Sequence, residues 1–292
     1  MTAATASATF RRLRRAELPP LLRAIHDPPR SLFLRGSGGP ELLARPAVAV
    51  VGARACSSYG AQVARTLGRE LAAAGLAVIS GMARGVDAEA HRGALDADGA
   101  TVAVLGCGID RDYPAVHAEL ARRIGDRGLL VSEYEPGVEP APWRFPARNR
   151  IIAGLAAATV IVEARERSGA LITADFALEE GREVFAVPGE ITATLAVGTN
   201  RLIRQGAAPL TGIEDVLELF GLDETVRSRQ EPLGEEARRV LERLADAASS
   251  LDELVRATGL DPAPLAAALV ELELVGAACE ADGIYRAVMP RG

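Results

Sequence analysis

The sequence predicts a doubly wound α/β domain followed by a smaller unit of three helices and a β-hairpin. Three observations carry that expectation. Short apolar runs rich in β-branched residues alternate with amphipathic or Ala-rich stretches through the middle of the chain, the pattern of βαβ units and a parallel sheet. Beyond residue 234, helical segments cluster and end in a turn signal. The chain has 292 residues, 49% hydrophobic and 25% charged, enough for a packed core and for about two domains.

Residues 1–35 are basic and contain prolines, and read as a short segment with one helix near Leu18–Ile25. Residues 36–220 read as the α/β core. Its strands are expected at Ala47–Val51, Leu76–Ser80, Thr101–Leu105, Gly128–Ser132, Thr159–Val162 and Glu183–Val187. These runs are apolar almost throughout, as in strands covered on both faces. Tyr59–Ala74 and Ala115–Ile124 are among the intervening helices. Residues 221–234 are polar and aperiodic, and read as a linker. Residues 235–290 hold helices at Glu235–Asp246, Leu251–Thr258 and Pro262–Leu272, with Ser250 and Asp261 as N-caps. Gly276–Glu280 and Ile284–Val288 then flank Ala281-Asp282-Gly283, a hairpin turn. Three helices and a hairpin of this size suggest a winged helix.

Composition excludes several functions. All 33 basic residues are arginine. A P-loop lysine, a lysine Schiff base and a kinase-type phosphate lysine are therefore absent. Arginine still binds phosphate bidentately, so anion recognition stays open. Cys56, Cys107 and Cys279 show no ligand spacing, which argues against a metal site or a disulfide framework and fits a reducing cytosol. No apolar run reaches the ~18 residues of a membrane span, so no membrane partner and a cytoplasmic location are expected. The net charge of −6 is unevenly spread. Residues 1–45 hold 8 arginines against 3 acids, residues 46–210 hold 17 against 19, and residues 211–292 hold 8 against 17. The acidity belongs mainly to the C-terminal unit, so overall charge does not exclude a nucleic-acid partner for the core.

Ligands of doubly wound sheets bind beyond the carboxyl ends of the strands. After the first core strand, Gly52-Ala53-Arg54 leads to Ser57 and Ser58 at a helix start, which reads as a phosphate cradle. The dinucleotide fingerprint G-x-G-x-x-G with its later acid is missing, so no nicotinamide or flavin cofactor is expected. After the second strand, Gly81, Arg84 and Gly85 offer amides and charge. Asp87 and His91 follow at i, i+4 and are expected to pair and buttress the loop. No nucleophile accompanies them, and no catalytic residue is assigned. The loop after the fourth strand gathers Tyr134, Trp143 and Phe145 with Arg144, Arg148, Asn149 and Arg150. Stacking rings interleaved with guanidiniums are how single strands are held. The alternative is that the rings cover a core edge and the arginines pair with Glu133, Glu135 and Glu139. After the fifth strand, Glu163 is expected to tie down nearby arginines, and Ser168-Gly169 to open a second anion site at a helix start.

These loops, taken together, resemble the DNA-processing protein A (DprA/Smf) family. The matching stretches are VAVVGAR at 48–54, ISGMARGVDAEAHRGAL at 79–95, VLGCGIDRDYP at 104–114 and LLVSEYEPG at 129–137. FPARNRIIAGLA at 145–156, VEARERSGALITADFALEEGREVFAVPG at 162–189 and GTNRLIRQGA at 198–207 continue the series. The resemblance implies an extended Rossmann-like fold with a small winged-helix domain. It also implies single-stranded DNA binding, a homodimer, and loading of the RecA recombinase onto single strands during DNA uptake. It places Arg54 as the leading DNA contact, with Phe145, Arg148, Asn149 and Arg150 as the FPxRNR motif and Arg144 as the basic residue before it. Ala53 stands where the family usually has a hydroxyl residue.

Two other functions are weighed against this one. A nucleotide phosphoribohydrolase would share a Rossmann-like core, but its P-G-G-x-G-T-x-x-E pattern is not found at Arg167–Thr173. A pure interaction scaffold would bind no DNA. The third C-terminal helix has no arginine and carries Glu271 and Glu273 after Asp261, so a protein-contacting or regulatory role is expected for that unit.

Overall fold

The computed structural model describes residues 10–222, 233–274, 277–281 and 283–287. The chain divides into two compact units, Met1–Leu210 and Thr211–Gly292.

The first unit is built on a nine-stranded sheet. Its strands are β1 (Arg11–Arg14), β2 (Ser31–Arg35), β3 (Ala47–Val51), β4 (Ala77–Ser80), β5 (Thr101–Val104), β6 (Leu129–Ser132), β7 (Ala158–Ile161), β8 (Glu183–Ala186) and β9 (Ala208–Pro209). The helices between them are α1 (Pro20–Arg23), α2 (Ser58–Ala73), α3 (Val86–Asp96), α4 (Ala118–Arg127), α5 (Arg144–Leu155), α6 (Gly169–Glu179) and α7 (Val197–Arg204). The strand order is β1-β2-β6-β5-β4-β3-β7-β8-β9. Strands β3 to β9 pair in parallel. The chain steps outward from β3 to β6, then returns to lay β7 against the other side of β3. The order therefore reverses between β3 and β7, the place where such sheets bind ligands.

The six expected core strands all form, each within a residue or so of its predicted bounds. Their residues are almost entirely buried, as continuous apolar runs require. One sheet face packs on Ala49, Val51, Ile79, Val102 and Val131 with α5 and α6; the other packs Ala103 and Leu130 with α4.

Two expectations are corrected. Residues 11–35 do not merely precede the core. Arg11–Arg14 and Ser31–Arg35 form an antiparallel pair, and β2 joins β6 antiparallel through Phe33 opposite Ser132. Leu13, Leu32 and Leu34 enter the core cluster, and this burial drives the segment onto the sheet. The loop after β6 is also shorter than expected, because α5 begins at Arg144. Residues 1–9 of the N-terminal segment, and 223–232 of the expected linker, lie outside the described residues.

The second unit contains a winged-helix domain, preceded by a short helix. Helices α8 (Glu214–Leu217), α9 (Glu235–Asp246), α10 (Leu251–Thr258) and α11 (Pro262–Leu274) accompany a small antiparallel sheet ordered β10 (Ser249–Ser250), β12 (Ile284–Ala287), β11 (Ala278–Ala281). Its core gathers Val240, Leu244, Leu254, Leu265, Leu269 and Leu272. Ser250 caps α10 in a capping box with Glu253. The expected hairpin forms, with Asp282 of its turn outside the described residues.

Candidate functional site

A cavity of about 340 Å³ opens at the carboxyl ends of β3 and β7. Gly52, Ala53 and Arg54 line it from β3, and Arg165, Arg167, Ser168 and Gly169 from β7. Phe145, Arg148 and Asn149 of α5 complete the wall. Eight of the expected residues thus come together at the predicted switch point.

The rim is cationic. Arg54, Arg165 and Arg167 are exposed, and none forms an ion pair among the described residues. The Arg54 guanidinium lies over the Phe145 ring at 5.5 Å. Phe145 in turn stacks on Tyr113, with centroids 5.2 Å apart and planes 25° from parallel. A cation on one ring of a stacked pair keeps its charge while its side chain is held in place. Arg165 and Arg167 were not among the residues expected from sequence. Their signal was topological: the loop after the fifth core strand lies beside the loop after the first wherever a doubly wound sheet reverses.

Two helix starts flank the cavity, and they differ. Ser57 caps α2, accepting from the Gly60 amide at 3.0 Å. Its own amide donates to Glu163 at 2.9 Å, and its hydroxyl donates to the same carboxylate. Glu163 lies so close to Gly60 that a Cβ there would stand 2.4 Å from its carboxyl carbon. The protein's own carboxylate therefore occupies the anion position at this helix start, where the helix dipole favours it. The cradle expected at Ser57 is filled from within, and Ser58 is simply an exposed first-turn residue. Glu163 holds a helix start rather than the neighbouring arginines. At α6, Ser168 caps by accepting from the Ala170 amide at 3.3 Å. Nothing lies within 4 Å of a Cβ built on Gly169, so this start is open.

Arg148 is a charge inside the protein. It is 4% exposed, donates to the Gly81 carbonyl at 2.7 Å and to the Val104 carbonyl, and from Nε to Asn149 Oδ1 at 3.0 Å. Burial draws its pKa down to about 10, which leaves it protonated at neutral pH. A Cβ on Gly81 would meet the guanidinium at 2.2 Å, so Gly81 is a seat for Arg148 rather than a ligand contact. Asn149 passes the network on, donating to the Gly169 carbonyl at 3.1 Å. The FPxRNR arginine expected at the DNA site is thus both part of the cavity wall and a brace for the ends of β4 and β5.

Arg150 also has a structural role. It makes a two-pronged pair with Glu133 at 2.8 and 2.7 Å and reaches Asp27 at 2.9 Å. Here the alternative reading of paired arginines holds. Arg144 takes neither expected role alone: its guanidinium lies 5.1 Å from the Tyr134 centroid and 4.9 Å from that of Trp143, and it donates to the Glu139 carbonyl. Trp143 is 63% exposed and is the most accessible aromatic ring. Arg84 is exposed, and Gly85 turns the chain with φ +73° before α3.

The Asp87–His91 pair does not form. Asp87 accepts the Gly81 and Ala83 amides at 3.1 and 3.3 Å, and burial raises its pKa. His91 Nδ1 meets the Thr101 hydroxyl at 2.7 Å, and that hydroxyl donates to the Val78 carbonyl. The hydroxyl is thereby an acceptor for His91, so the ring proton sits on Nδ1. Burial lowers the His91 pKa to about 3, and the imidazole is neutral at physiological pH.

The sequence profile of the DNA recombination-mediator protein A family matches residues 10–221, and that of the DprA winged helix domain matches residues 225–283. The chain is 46% identical over 203 residues to DNA processing protein DprA of Streptococcus pneumoniae, covering 68% of this chain and 70% of that one. The X-ray structure of the S. pneumoniae protein superposes with a TM-score of 0.68 at 43% identity, over 72% of this chain and 74% of that one. A structure of DNA processing protein A from Helicobacter pylori, described for its single-stranded DNA binding mode, superposes with a TM-score of 0.67 at 30% identity, over 74% and 98%. The chain belongs to the DNA recombination-mediator protein A (DprA/Smf) family, a family of mediators rather than catalysts.

Proposed function

We propose that the chain binds single-stranded DNA along the carboxyl end of the sheet and, as a cytoplasmic homodimer, loads RecA onto the bound strand. One observation carries the DNA-binding part: three guanidiniums without an ion pair among the described residues, Arg54, Arg165 and Arg167, ring a cavity walled by Phe145. Phosphates answer the guanidiniums and the open start of α6, while bases find a ring face at exposed Trp143. Kinship with the H. pylori protein supports the single strand as the ligand. Family membership supports the RecA role. Among the described residues no helix is long and apolar enough to cross a membrane.

The test is oligo-dT binding followed by fluorescence anisotropy across a salt series, with light scattering for mass. Wild type should bind with affinity that falls steeply with salt. Arg54→Ala should lose roughly tenfold, about 1.4 kcal/mol. Equal affinity of the variant and wild type would remove Arg54 from the site. Faster RecA assembly on oligo-dT in the presence of the protein would support loading, and an unchanged rate would refute it.

A further inference from the structure

We propose that the antiparallel end of the sheet carries a second contact for the phosphate backbone of a single strand, formed by Arg14, Arg15, Arg23 and Arg30. It extends the crevice reading above and rests on it.

Topology brings these residues to the right end of the sheet. β2 is antiparallel to β6, with Phe33 opposite Ser132, and β1 is antiparallel to β2, with Arg14 opposite Ser31. β1 therefore runs in the same sense as the parallel strands. Its last residue lies at the carboxyl end, where the crevice also opens. The Arg15 amide donates to the Arg30 carbonyl at 3.1 Å, and Arg23 donates to the Ala16 carbonyl at 3.3 Å. Four arginines are thus gathered around one turn.

All four are exposed, and none forms an ion pair among the described residues. Many surface arginines elsewhere are neutralised: Arg65 by Asp96, Arg122 by Glu119 and Asp126, Arg127 by Asp98. The acids near the turn are bonded to other groups and, among the described residues, form no ion pair with these four guanidiniums. Glu17 accepts the Arg14 amide at 2.8 Å, Asp27 is held by Arg150 at 2.9 Å, and Glu180 accepts the His26 amide at 2.8 Å. Charge on an edge strand protects it from pairing with another chain. That need is met within β1, and it does not account for Arg23 and Arg30, which lie outside the strand.

No exposed Phe, Tyr or Trp belongs to the turn. The contact is therefore with phosphates and carries no base preference. Between it and the crevice, at the same end of the sheet, the loop after β6 presents Tyr134, Trp143 and Arg144. From β3 to β1 is five strand spacings of about 4.8 Å, so the strand would travel about 24 Å. A short oligonucleotide fills the crevice alone, and a longer one reaches both.

The experiment measures two thymidine oligonucleotides, one of about four nucleotides, at the small end of single-strand sites and too short to span both contacts, and one several times longer. Each is titrated against the full chain at several salt concentrations. The test variant is Arg14→Ser/Arg15→Ser/Arg30→Ser, with the triple Arg→Lys variant as the charge-conserving control. The triple serine variant should bind the short oligonucleotide as wild type does. It should lose several-fold affinity for the long one, and its salt slope should fall by about 2, since each lost phosphate contact on a single strand removes about 0.7. The lysine variant should behave as wild type with both. Unchanged long-oligonucleotide affinity and slope in the serine variant would overturn the proposal. Should that variant misfold, wild type decides alone, because equal slopes for the two lengths overturn it too. Failure of the crevice reading looks different: the short oligonucleotide would then be bound equally by wild type and Arg54→Ala.

Discussion

The starts of α2 and α6 stand side by side at the switch point, and each begins with a serine cap and a glycine within the first turn. In sequence the two look like the same device. In the structure, α2 is closed by Glu163 and α6 faces open space. The difference lies in a residue more than a hundred positions from the Ser57 cap, delivered by the neighbouring strand. A helix start attracts an anion by its unpaired amides and dipole, and whichever anion is held most rigidly takes the place. Where the chain supplies a carboxylate, no phosphate is needed.

Removing the plug should have the largest effect. Glu163→Ala leaves the Ser57 amide without its partner and is expected to cost about 1–3 kcal/mol of unfolding free energy in a denaturant titration. The same variant should be stabilised by sulfate more than wild type is, because α2 then resembles α6. An equal sulfate response would mean that openness does not distinguish the two starts. Next comes the cationic rim. Arg167→Ala should weaken oligo-dT binding about fivefold, or about 1 kcal/mol, with stability little changed. A smaller effect is expected of Ser168→Ala, which removes a cap whose hydrogen bond is long, for a loss below about 1 kcal/mol on thermal unfolding. Ser58→Ala should stay within about 0.5 kcal/mol of wild type and bind oligo-dT equally. A clear binding defect there would reopen α2 as a phosphate site.

The parallel strands were legible because their residues are buried on both faces, and unbroken apolar runs such as Ala47–Val51 announce that directly. β1 was not, since Arg-Arg-Leu-Arg buries only Leu13 and its place depends on a pairing made through β2 with the distant β6. The crevice could be located because fold class fixes where strand ends meet. The roles of single arginines could not be separated by residue type. Arg148 did carry a signal in its spacing, three and four residues before buried Ile151 and Ile152 on the core-facing side of α5. Residue type points the other way, since arginine is rarely buried without a partner. Here carbonyl oxygens accept from it, and the buried Asp87 carboxylate supplies the opposite charge. For Glu163 no local pattern exists: its partner is chosen by tertiary packing against Gly60.

The Glu163 contact also has a mechanical side. β3 with its outward neighbours and β7 with its own are the two halves of the sheet. Glu163 follows the last residues of β7, and Ser57 opens the helix that follows β3. Their hydrogen bonds carry the pairing of β3 with β7 one step further, into the loops beyond the strand ends. The loop after β3, which carries Arg54 to the crevice, is thereby anchored at its far end to the loop after β7. The Ser57 amide should therefore exchange its hydrogen slowly, at the same rate with and without oligo-dT.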